Sequence, residues 1–207
     1  MSRKEAKPLT SRRDLMTGAA AWLAIGAWTG VASAAQQGSG RKPPIGIIGS
    51  GNVGSNLGRS WARAGYAVMF SSLDLEGDRR LAASVGANAR AGTPQQAVQF
   101  GEVLLFAVPY GALPGLGREL GTALRGKVVI DACNPFPARD GAIAEQARAE
   151  GAGVVSARLL PGARIVRAFN AVGAARMGAM HETPGRIAMP IAGDDAEAIQ
   201  IASQLVR

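Results

Sequence analysis

A short apolar run that leads straight into three closely spaced glycines constrains this sequence more than any other feature. Ile45 to Ile48 is followed by Gly49, Gly51 and Gly54, so that residues 45–54 read I-G-I-I-G-S-G-N-V-G, and a helix-like pattern follows. Strand, tight turn and helix is the context in which G-x-G-x-x-G binds the pyrophosphate of a dinucleotide. An ordinary glycine-rich turn is the alternative interpretation.

Each glycine of the motif has its own expected role. Gly49 allows the tight turn, Gly51 lets the backbone approach the phosphates, and Gly54 lets the helix pack close to the strand. The phosphates would lie at the helix N-terminus, where free N–H groups and the helix dipole favour negative charge. The candidate cofactor contacts at the turn are Gly49, Ser50, Gly51, Asn52, Val53 and Gly54.

The residues before the motif have the pattern of a twin-arginine signal peptide over 1–34. Residues 11–16 read S-R-R-D-L-M, a weakly apolar run follows over 17–31, and Ala32-Ser33-Ala34 supplies small residues for cleavage. We expect cleavage after Ala34, a linker over 35–44, a domain over 45–207, and a periplasmic or extracytoplasmic location. An uncleaved membrane anchor is the alternative, but its run is poorer in Leu and Ile than the roughly 20 apolar residues of a spanning helix.

The net charge of the sequence limits the kinds of ligand that the protein is expected to bind. The sequence has 23 basic and 15 acidic residues, of which the leader holds five and two, so the mature part carries 18 minus 13, or +5. Scattered arginines supply nearly all of this charge, without a basic block or interleaved aromatic residues. The pattern therefore suits an anionic cofactor or substrate and argues against a nucleic-acid module.

Cysteine and histidine are each present once, as Cys133 and His181. A single cysteine excludes an intrachain disulfide, and its place after an apolar strand favours a small buried hydrophobe over a reactive thiol. A metal site needs several ligands, and no Cys/His cluster exists in the sequence, so we expect no metal.

Apolar runs alternate with helical patterns along the rest of the chain. This alternation predicts an α/β fold with a mostly parallel, doubly wound, Rossmann-type sheet covered by helices on both faces. Ligands should gather at the carboxyl ends of the strands. The predicted strands are 45–48, 67–71, 87–91, 103–108, 127–131, 165–169 and 186–192, and the predicted helices after the first are 74–85, 95–100, 113–124, 141–150 and 194–205.

The residues after the second strand bear on the choice of nucleotide. NAD-binding folds place an Asp or Glu there to bind the adenosine ribose, whereas this sequence has Ser71 and Ser72, which favours NADP(H). Asp74 and Glu76 lie close enough to take the acidic role instead. Arg79 and Arg80 are candidates for the 2′-phosphate, although solvated helix residues are the preferred interpretation of either arginine.

These motifs together resemble the NADPH-dependent deazaflavin (coenzyme F-420) reductases and their dinucleotide-binding relatives. The matching segments follow one another in the order found in that family and cover most of residues 45–195. They are I-G-I-I-G-S-G-N-V-G at 45–54, F-S-S at 70–72, A-R-A-G-T-P at 89–94, L-L-F-A-V-P-Y at 104–110, G-K-V-V-I-D-A-C-N-P-F at 126–136, L-P-G-A-R-I-V-R-A-F-N at 160–170 and P-I-A-G-D-D at 190–195.

The resemblance implies hydride transfer between NADPH and a deazaflavin or flavin-like acceptor. It implies that Ser71 and Ser72 face the 2′-phosphate, that Val108 and Pro109 flank the nucleotide, and that Asn134 and Asn170 lie near the nicotinamide. Two departures stand out. Leu73-Asp74 replace an arginine that usually follows the serines, and the chain stops where relatives continue, which predicts a truncated C-terminus or an incomplete acceptor pocket.

Hydride transfer between two rings needs positioning and exclusion of water more than acid–base chemistry. No catalytic residue is therefore named, and we expect positioning by the backbone at Pro109-Tyr110 and by Asn134. The Tyr110 ring is interpreted either as stacking on a cofactor ring or as a half-buried surface tyrosine. A pyrroline-carboxylate-reductase-like imine reductase and a non-catalytic NAD(P)-binding module remain alternatives. The expected partners are a small-molecule hydride acceptor, the twin-arginine export machinery and a second copy in a homodimer.

Overall fold

Short buried strands and amphipathic helices alternate along the chain, as the sequence predicts. The computed structural model describes residues 41–179 and 187–207, and residues 42–207 form one compact unit. The predicted signal peptide, most of the predicted linker and His181 lie outside the described residues. The strands are β1 Ile45–Ile48, β2 Val68–Ser71, β3 Ala89–Ala91, β4 Val103–Phe106, β5 Val128–Asp131, β6 Arg164–Arg167 and β7 Ala192–Gly193.

The helices of the described residues follow the strands. They are α1 Asn52–Arg63, α2 Leu75–Val85, α3 Pro94–Phe100, α4 Leu113–Leu120, α5 Pro137–Asp140, α6 Ala142–Glu150, α7 Ala152–Leu159, α8 Ala174–Ala179 and α9 Ala196–Val206, with 3-10 turns at Tyr110–Ala112 and Gly121–Leu124.

The sheet has the strand order β3-β2-β1-β4-β5-β6-β7. Strands β1 to β6 run parallel, and β7 pairs antiparallel with β6. The direction of winding reverses between β1 and β4, which creates the crevice where doubly wound folds bind ligands. The mostly parallel Rossmann-type architecture predicted from the sequence is confirmed.

Two apolar layers cover the sheet because alternate strand residues point to opposite faces. On one face, Ile47 and Leu105 pack with residues of α1, α8 and α9, such as Trp61. On the other face, Leu104 and Phe106 pack with residues of α3, α4, α6 and α7. A strand with both faces covered is apolar throughout, which explains the continuous runs in β1 and β4.

The helices differ in whether a side chain caps their N-terminus. Asp74 caps α2 by accepting from the Gly77 N–H, and Thr93 forms a capping box with Gln96 at the start of α3, which was predicted over 95–100. Asp195 caps α9, which begins at Ala196, two residues after the start predicted at residue 194. Helix α1 begins after Gly51 without any side-chain cap.

The second half of the chain differs most from the prediction. The strand predicted over 186–192 is wrong, since residues 187–191 are irregular and β7 contains only Ala192–Gly193. Helix α7 was not predicted, because its glycine-containing start reads as a loop. It forms where tertiary contacts favour it, since Ser156 is buried and its hydroxyl lies 3.0 Å from the Tyr110 hydroxyl.

The last residues of the predicted linker contact the domain. The Pro44 carbonyl accepts a hydrogen bond of 2.9 Å from the Glu102 N–H, and the Lys42 ammonium lies 5.3 Å from the centroid of the Tyr66 ring. Within the part of the chain that the structure describes, no helix is both long enough and apolar enough to cross a membrane.

Candidate dinucleotide site

The glycine turn has the positive φ and the close packing that the motif predicts at Gly49 and Gly54, and open space at Gly51. Gly49 has φ +98°, a conformation that L-residues rarely adopt, so it makes the tight turn. A Cβ added at Gly54 would lie 1.9 Å from the Gly49 carbonyl oxygen and 3.1 Å from Ile47 Cγ2, so only glycine permits this close packing. A Cβ added at Gly51 would meet nothing within 4 Å, which leaves open space above the turn.

The start of α1 offers unsatisfied hydrogen-bond donors beside this open space. No side chain caps α1, and its first turn has no acidic residue, whereas α2 and α3 are each capped by a side chain. The first N–H groups of a helix have no partner within the helix, and the helix dipole adds positive potential there. An anion above Gly51 would therefore meet free donors and no competing carboxylate of the first turn.

The loop after β4 borders the glycine turn. Ala107 donates a hydrogen bond of 2.8 Å to the Ile48 carbonyl, and a Cβ at Gly49 would lie 2.7 Å from Val108 Cγ1. Val108 is half-buried and Pro109 is exposed. The structure thus brings two of the predicted site residues, Val108 and Gly49, together at the reversal between β1 and β4.

Tyr110 requires a correction. Its side chain is fully buried on the α4 side of the sheet, and its hydroxyl donates to the Ala152 carbonyl over 2.7 Å. Burial raises the pKa of this phenol. The predicted stacking on a cofactor ring and the half-buried surface alternative are both wrong, so the contribution of Tyr110 to a bound nucleotide is limited to its backbone.

A cleft of about 340 Å³ lies between α1 and α2 beside the glycine turn, where the adenosine half of a dinucleotide is expected. It includes the predicted residues Ser50 and Ser72, but not Ser71. Its lining residues are Ser50, Ser55, Arg59, Ser72, Asp74, Gly77, Asp78 and Leu81.

Ser71 does not face this cleft, which corrects a second prediction. The residue is fully buried at the end of β2, and its hydroxyl donates a hydrogen bond of 2.7 Å to the Ile47 carbonyl. Successive side chains along a strand point to opposite faces of the sheet, so Ser71 and Ser72 point in opposite directions. Ser72 therefore reaches the cleft, and Ser71 instead bridges β2 to β1.

A buried carboxylate that the sequence analysis missed joins the two sides of the cleft. Asp78 on α2 accepts a hydrogen bond from the Ser50 hydroxyl of the glycine turn and one of 2.9 Å from the Ser72 hydroxyl. Ser72 also accepts from the Asp74 N–H over 3.1 Å. The Ser72 hydroxyl also lies 3.4 Å from the Asp74 carbonyl, so its single proton has its shorter contact with Asp78.

The other charged residues predicted near the adenosine site are exposed. Arg79 pairs with Glu76 on the surface of α2, and an Arg80 guanidinium nitrogen lies 3.7 Å from a carboxylate oxygen of Asp74. These contacts agree with the preferred interpretation of both arginines as solvated helix residues. Leu73, where relatives usually have arginine, is fully exposed.

Asn134 and Asn170, predicted for the nicotinamide side, lie in contact with each other. The Asn134 amide donates to the Asn170 carbonyl over 2.9 Å, and the Asn170 amide lies 3.3 Å from Asn134 Oδ1. Beneath them the buried Asp131 pairs with Arg167 over 2.7 Å, and Arg167 also donates to the Cys133 carbonyl over 3.0 Å. This network fixes the carboxyl ends of β5 and β6.

Cys133 and Asp140 complete this side of the crevice. The Cys133 thiol is buried, and its burial raises its pKa well above the ordinary value, with the charge of Asp131 adding to the effect. The preferred prediction of a small buried hydrophobe is confirmed. Asp140 accepts from the N–H groups of Gly111, over 3.1 Å, and Phe136, over 3.0 Å, so one carboxylate joins the loops after β4 and β5.

The pKa of Asp140 is lowered to about 2, chiefly by its hydrogen bonds from Arg139, with smaller contributions from the two N–H groups. A separate cleft of about 490 Å³ lies beside α7, β6 and β7, and none of the predicted site residues line it.

Asp78, Arg59 and the Asp131–Arg167 pair are site residues that the sequence analysis did not single out. A signal existed for Asp78, because it lies four residues before the buried Ala82 on the inward face of α2. An acidic residue on such a face is rarely buried without a partner. No signal in a single sequence separates Arg59 from the other scattered arginines.

Part of this chain is similar in sequence to known oxidoreductases. Residues 44–135 match the family model described as NADP oxidoreductase coenzyme F420-dependent. The metalloreductase STEAP3 of Rattus norvegicus is 29% identical over 168 residues, which are 80% of this chain and 32% of that protein. The chain thus spans about a third of the curated relative that it matches.

Solved structures share the fold over most of both chains. The hypothetical protein SMa0349 from Sinorhizobium meliloti is 25% identical with a TM-score of 0.68, covering 79% of this chain and 80% of that one. A candidate F420-dependent NADP reductase from Arthrobacter sp. FB24 is 21% identical with a TM-score of 0.66 and covers 79% of each chain. The chain therefore has a Rossmann-type NAD(P)-binding fold, and its similarity over residues 44–135 is to a family of NADP-dependent oxidoreductases.

Proposed function

We propose that this protein is an exported NADPH-dependent oxidoreductase that transfers hydride between NADPH and a deazaflavin or flavin-like acceptor. The observation that carries the proposal is the open space above Gly51, next to the uncapped start of α1, at the reversal of the sheet. A side chain there would occupy the space that a diphosphate needs. The family model over residues 44–135 includes this turn and supports NADP(H).

The described residues divide the proposed binding site into three parts. The turn from Gly49 to Gly54 would hold the pyrophosphate by backbone N–H groups, and the cleft beside Ser50 and Ser72 would hold the adenosine. Asn134 would lie on the nicotinamide side with Asn170. NADPH supplies the hydride when bound, and the protein contributes orientation and exclusion of water.

Export by the twin-arginine route is a separate part of the proposal and rests on residues 11–34 of the sequence. This route carries folded proteins, so a nucleotide bound before export would accompany the domain. The part of the proposal that concerns a periplasmic location is tested by following cleavage after Ala34 and the cell fraction of the protein. Substituting lysine for both Arg12 and Arg13 should keep the protein in the cytoplasm.

Gly51→Val tests the proposed diphosphate site directly. The Gly51 backbone has φ −65° and ψ −161°, an extended conformation with negative φ, and a Cβ added there meets nothing within 4 Å. We expect an unchanged melting temperature and a loss of NADPH affinity of about 100-fold or more, because the side chain excludes the phosphates and their hydrogen bonds. Fluorescence titration with NADPH measures this affinity.

Gly115→Val is the matched control. Gly115 lies on α4, where an added Cβ also meets nothing within 4 Å, so this change should leave NADPH affinity unaltered. If wild type and both variants bind NADPH equally, the diphosphate does not lie above Gly51. If wild type binds neither NADPH nor NADH, the proposed function itself is wrong.

Turnover distinguishes the proposed enzyme from its alternatives. NADPH oxidation followed at 340 nm with coenzyme F-420, FMN and a cyclic imine identifies the acceptor class. Reduction of F-420 or FMN supports the proposal, and reduction of the imine alone indicates an imine reductase. Tight NADPH binding without reduction of any acceptor indicates a binding module. Sedimentation of the same preparation tests the proposed homodimer.

A further inference from the structure

The 2′-phosphate of NADPH lacks an evident partner at the positions that the sequence suggests. Ser71 is buried and bonded to the Ile47 carbonyl, and Ser72 donates its proton to Asp78. Leu73 has no hydrogen-bond donor in its side chain. A phosphate accepts hydrogen bonds and needs donors, so the serines serve it poorly in this arrangement.

The cleft also carries negative charge of its own. Asp74 and Asp78 both line it, and Asp78 is held by two neutral hydroxyls rather than by a cation. Like charges disfavour binding of a second anion unless a cation stands nearby. A bound 2′-phosphate in this cleft therefore requires a positively charged partner.

Arg59 is the one cation among the described residues that line the cleft. It lies on α1 one turn after Ser55, so both side chains share a face that borders the glycine turn. Arg59 is half-buried, and within the described ranges it makes no hydrogen bond or ion pair. By contrast, Arg79 and Arg80 are exposed and already lie beside Glu76 and Asp74.

We infer that Arg59 binds the 2′-phosphate of NADPH and sets the preference of this site for NADPH over NADH. The inference rests on the proposed function. A guanidinium suits the role because it presents several donors in a plane that matches phosphate oxygens. Related proteins usually have an arginine where this chain has Leu73. Arg59 would take over the role of that arginine from α1, on the opposite side of the cleft.

The test uses two ligands that differ only in the phosphate in question. Adenosine 2′,5′-bisphosphate carries the 2′-phosphate and AMP does not, and isothermal titration measures both on the full mature protein. We expect Arg59→Gln to weaken binding of the bisphosphate by about 10- to 100-fold, the size of a lost charge-assisted contact, and to change AMP affinity by less than about twofold. The same substitution should lower the ratio of NADPH to NADH affinity to a similar extent.

Two further variants separate a specific contact from general charge. Arg80→Gln removes the rival arginine on α2, and Arg148→Gln removes an exposed arginine on α6, far from the cleft. Both should change bisphosphate affinity by less than about threefold, and Arg59→Lys should fall between wild type and Arg59→Gln.

Loss of bisphosphate affinity in Arg59→Gln alone supports the inference. An equal loss in Arg80→Gln and Arg59→Gln, or wild type that binds AMP and the bisphosphate equally, overturns it. Either result leaves the proposed function standing, since NADH or NADPH still binds through the glycine turn. Failure of all four ligands to bind overturns the proposed function instead.

Discussion

The two ends of the crevice each contain a buried carboxylate, but they hold it differently. Asp131, fully buried at the end of β5, pairs with Arg167 and accepts from the Cys133 N–H over 2.9 Å. Asp78, only 1% exposed on α2, is held by two serine hydroxyls and has no paired cation within the described residues. Among the described residues, the buried negative charge is paired with a cation at the proposed nicotinamide end and is not paired with one at the proposed adenosine end.

This difference indicates that the domain neutralises its buried charge at one end of the crevice. At the other end, a ligand or a neighbouring molecule can contribute to the charge balance. A guanidinium nitrogen of Arg167 also lies 3.5 Å from Asn134 Oδ1, so the buried Asp131–Arg167 pair supports the Asn134–Asn170 contact from below. Within the described residues, the proposed adenosine end combines a carboxylate that no cation pairs with and an arginine, Arg59, without an ion pair, both lining one cleft. A charged ligand that binds at the proposed adenosine end would therefore change the local charge balance far more than one that binds at the proposed nicotinamide end.

The largest expected effect follows from breaking the pair at the nicotinamide end. Arg167→Leu leaves Asp131 charged and buried, which should cost about 3–5 kcal/mol of the free energy of unfolding. Urea unfolding measures this cost. Arg164→Leu, on the same strand, breaks partly exposed pairs with Asp195 and Glu197 and should cost clearly less than Arg167→Leu.

If Arg167→Leu leaves too little folded protein to titrate, the double variant Asp131→Leu with Arg167→Leu removes both charges and should recover stability. Equal losses for Arg167→Leu and Arg164→Leu would show that Asp131 is not a buried charge in the folded protein.

A smaller effect is expected at the adenosine end. Asp78→Asn keeps the shape of the side chain but removes its charge, so one strong hydrogen bond to a serine weakens, at a cost of about 1–2 kcal/mol in unfolding free energy. The same change removes a repulsion from the 2′-phosphate and should raise NADPH affinity by about threefold to tenfold.

Asp74→Asn serves as the comparison for Asp78→Asn, since asparagine also caps helices well and Asp74 is exposed. Its unfolding free energy should stay within about 0.5 kcal/mol of wild type. A stable Asp78→Asn variant with unchanged NADPH affinity would contradict the picture of an unbalanced charge at this end.

The smallest expected effect concerns the loops at the nicotinamide end. Asp140→Asn weakens the contacts to Gly111 and Phe136 and should lower the unfolding free energy by about 1 kcal/mol at pH 7. Because the folded pKa of Asp140 is about 2 and lies below the ordinary value, its contribution is complete above about pH 4. The contribution is lost as the pH falls through 2.

The difference in unfolding free energy between wild type and Asp140→Asn should therefore shrink from pH 5 to pH 2. A difference that stays constant over this range would show that the charge of Asp140 contributes nothing to holding the two loops.

Much of the fold followed from local patterns in the sequence. The buried runs of β1 and β4 and the capping box at Thr93 are local features whose physical cause lies within a few residues. The glycine turn was predictable for the same reason, since Gly49 has a positive φ and a Cβ at Gly54 would collide with the nearby Gly49 carbonyl oxygen. Strand β7 was not predictable from a local pattern, because its two residues are defined by pairing with β6 and not by an apolar run.

The side chains of the site were predictable only where position along a strand fixes their direction. The sequence indicates that Ser71 and Ser72 follow β2 but not which one faces the cleft, and here the pleat decides in favour of Ser72. The partners of Asp78 come from segments 28 and 6 residues away, so no local pattern contains them. The burial of Tyr110 likewise depends on α7, which begins 42 residues later.

Phe169, just after the end of β6, has a backbone conformation that is unfavourable for a non-glycine residue. Its φ of +67° is a left-handed conformation that costs a non-glycine residue about 1–2 kcal/mol. Its ring meets the Trp61 ring edge-on, with centroids 6.0 Å apart. Glycine would adopt this backbone without strain but would lose the ring contact. Trp61 on α1 and Phe169, the residue before Asn170, thus join the helix after the glycine turn to the end of β6, so both halves of the proposed coenzyme site are built on one apolar cluster.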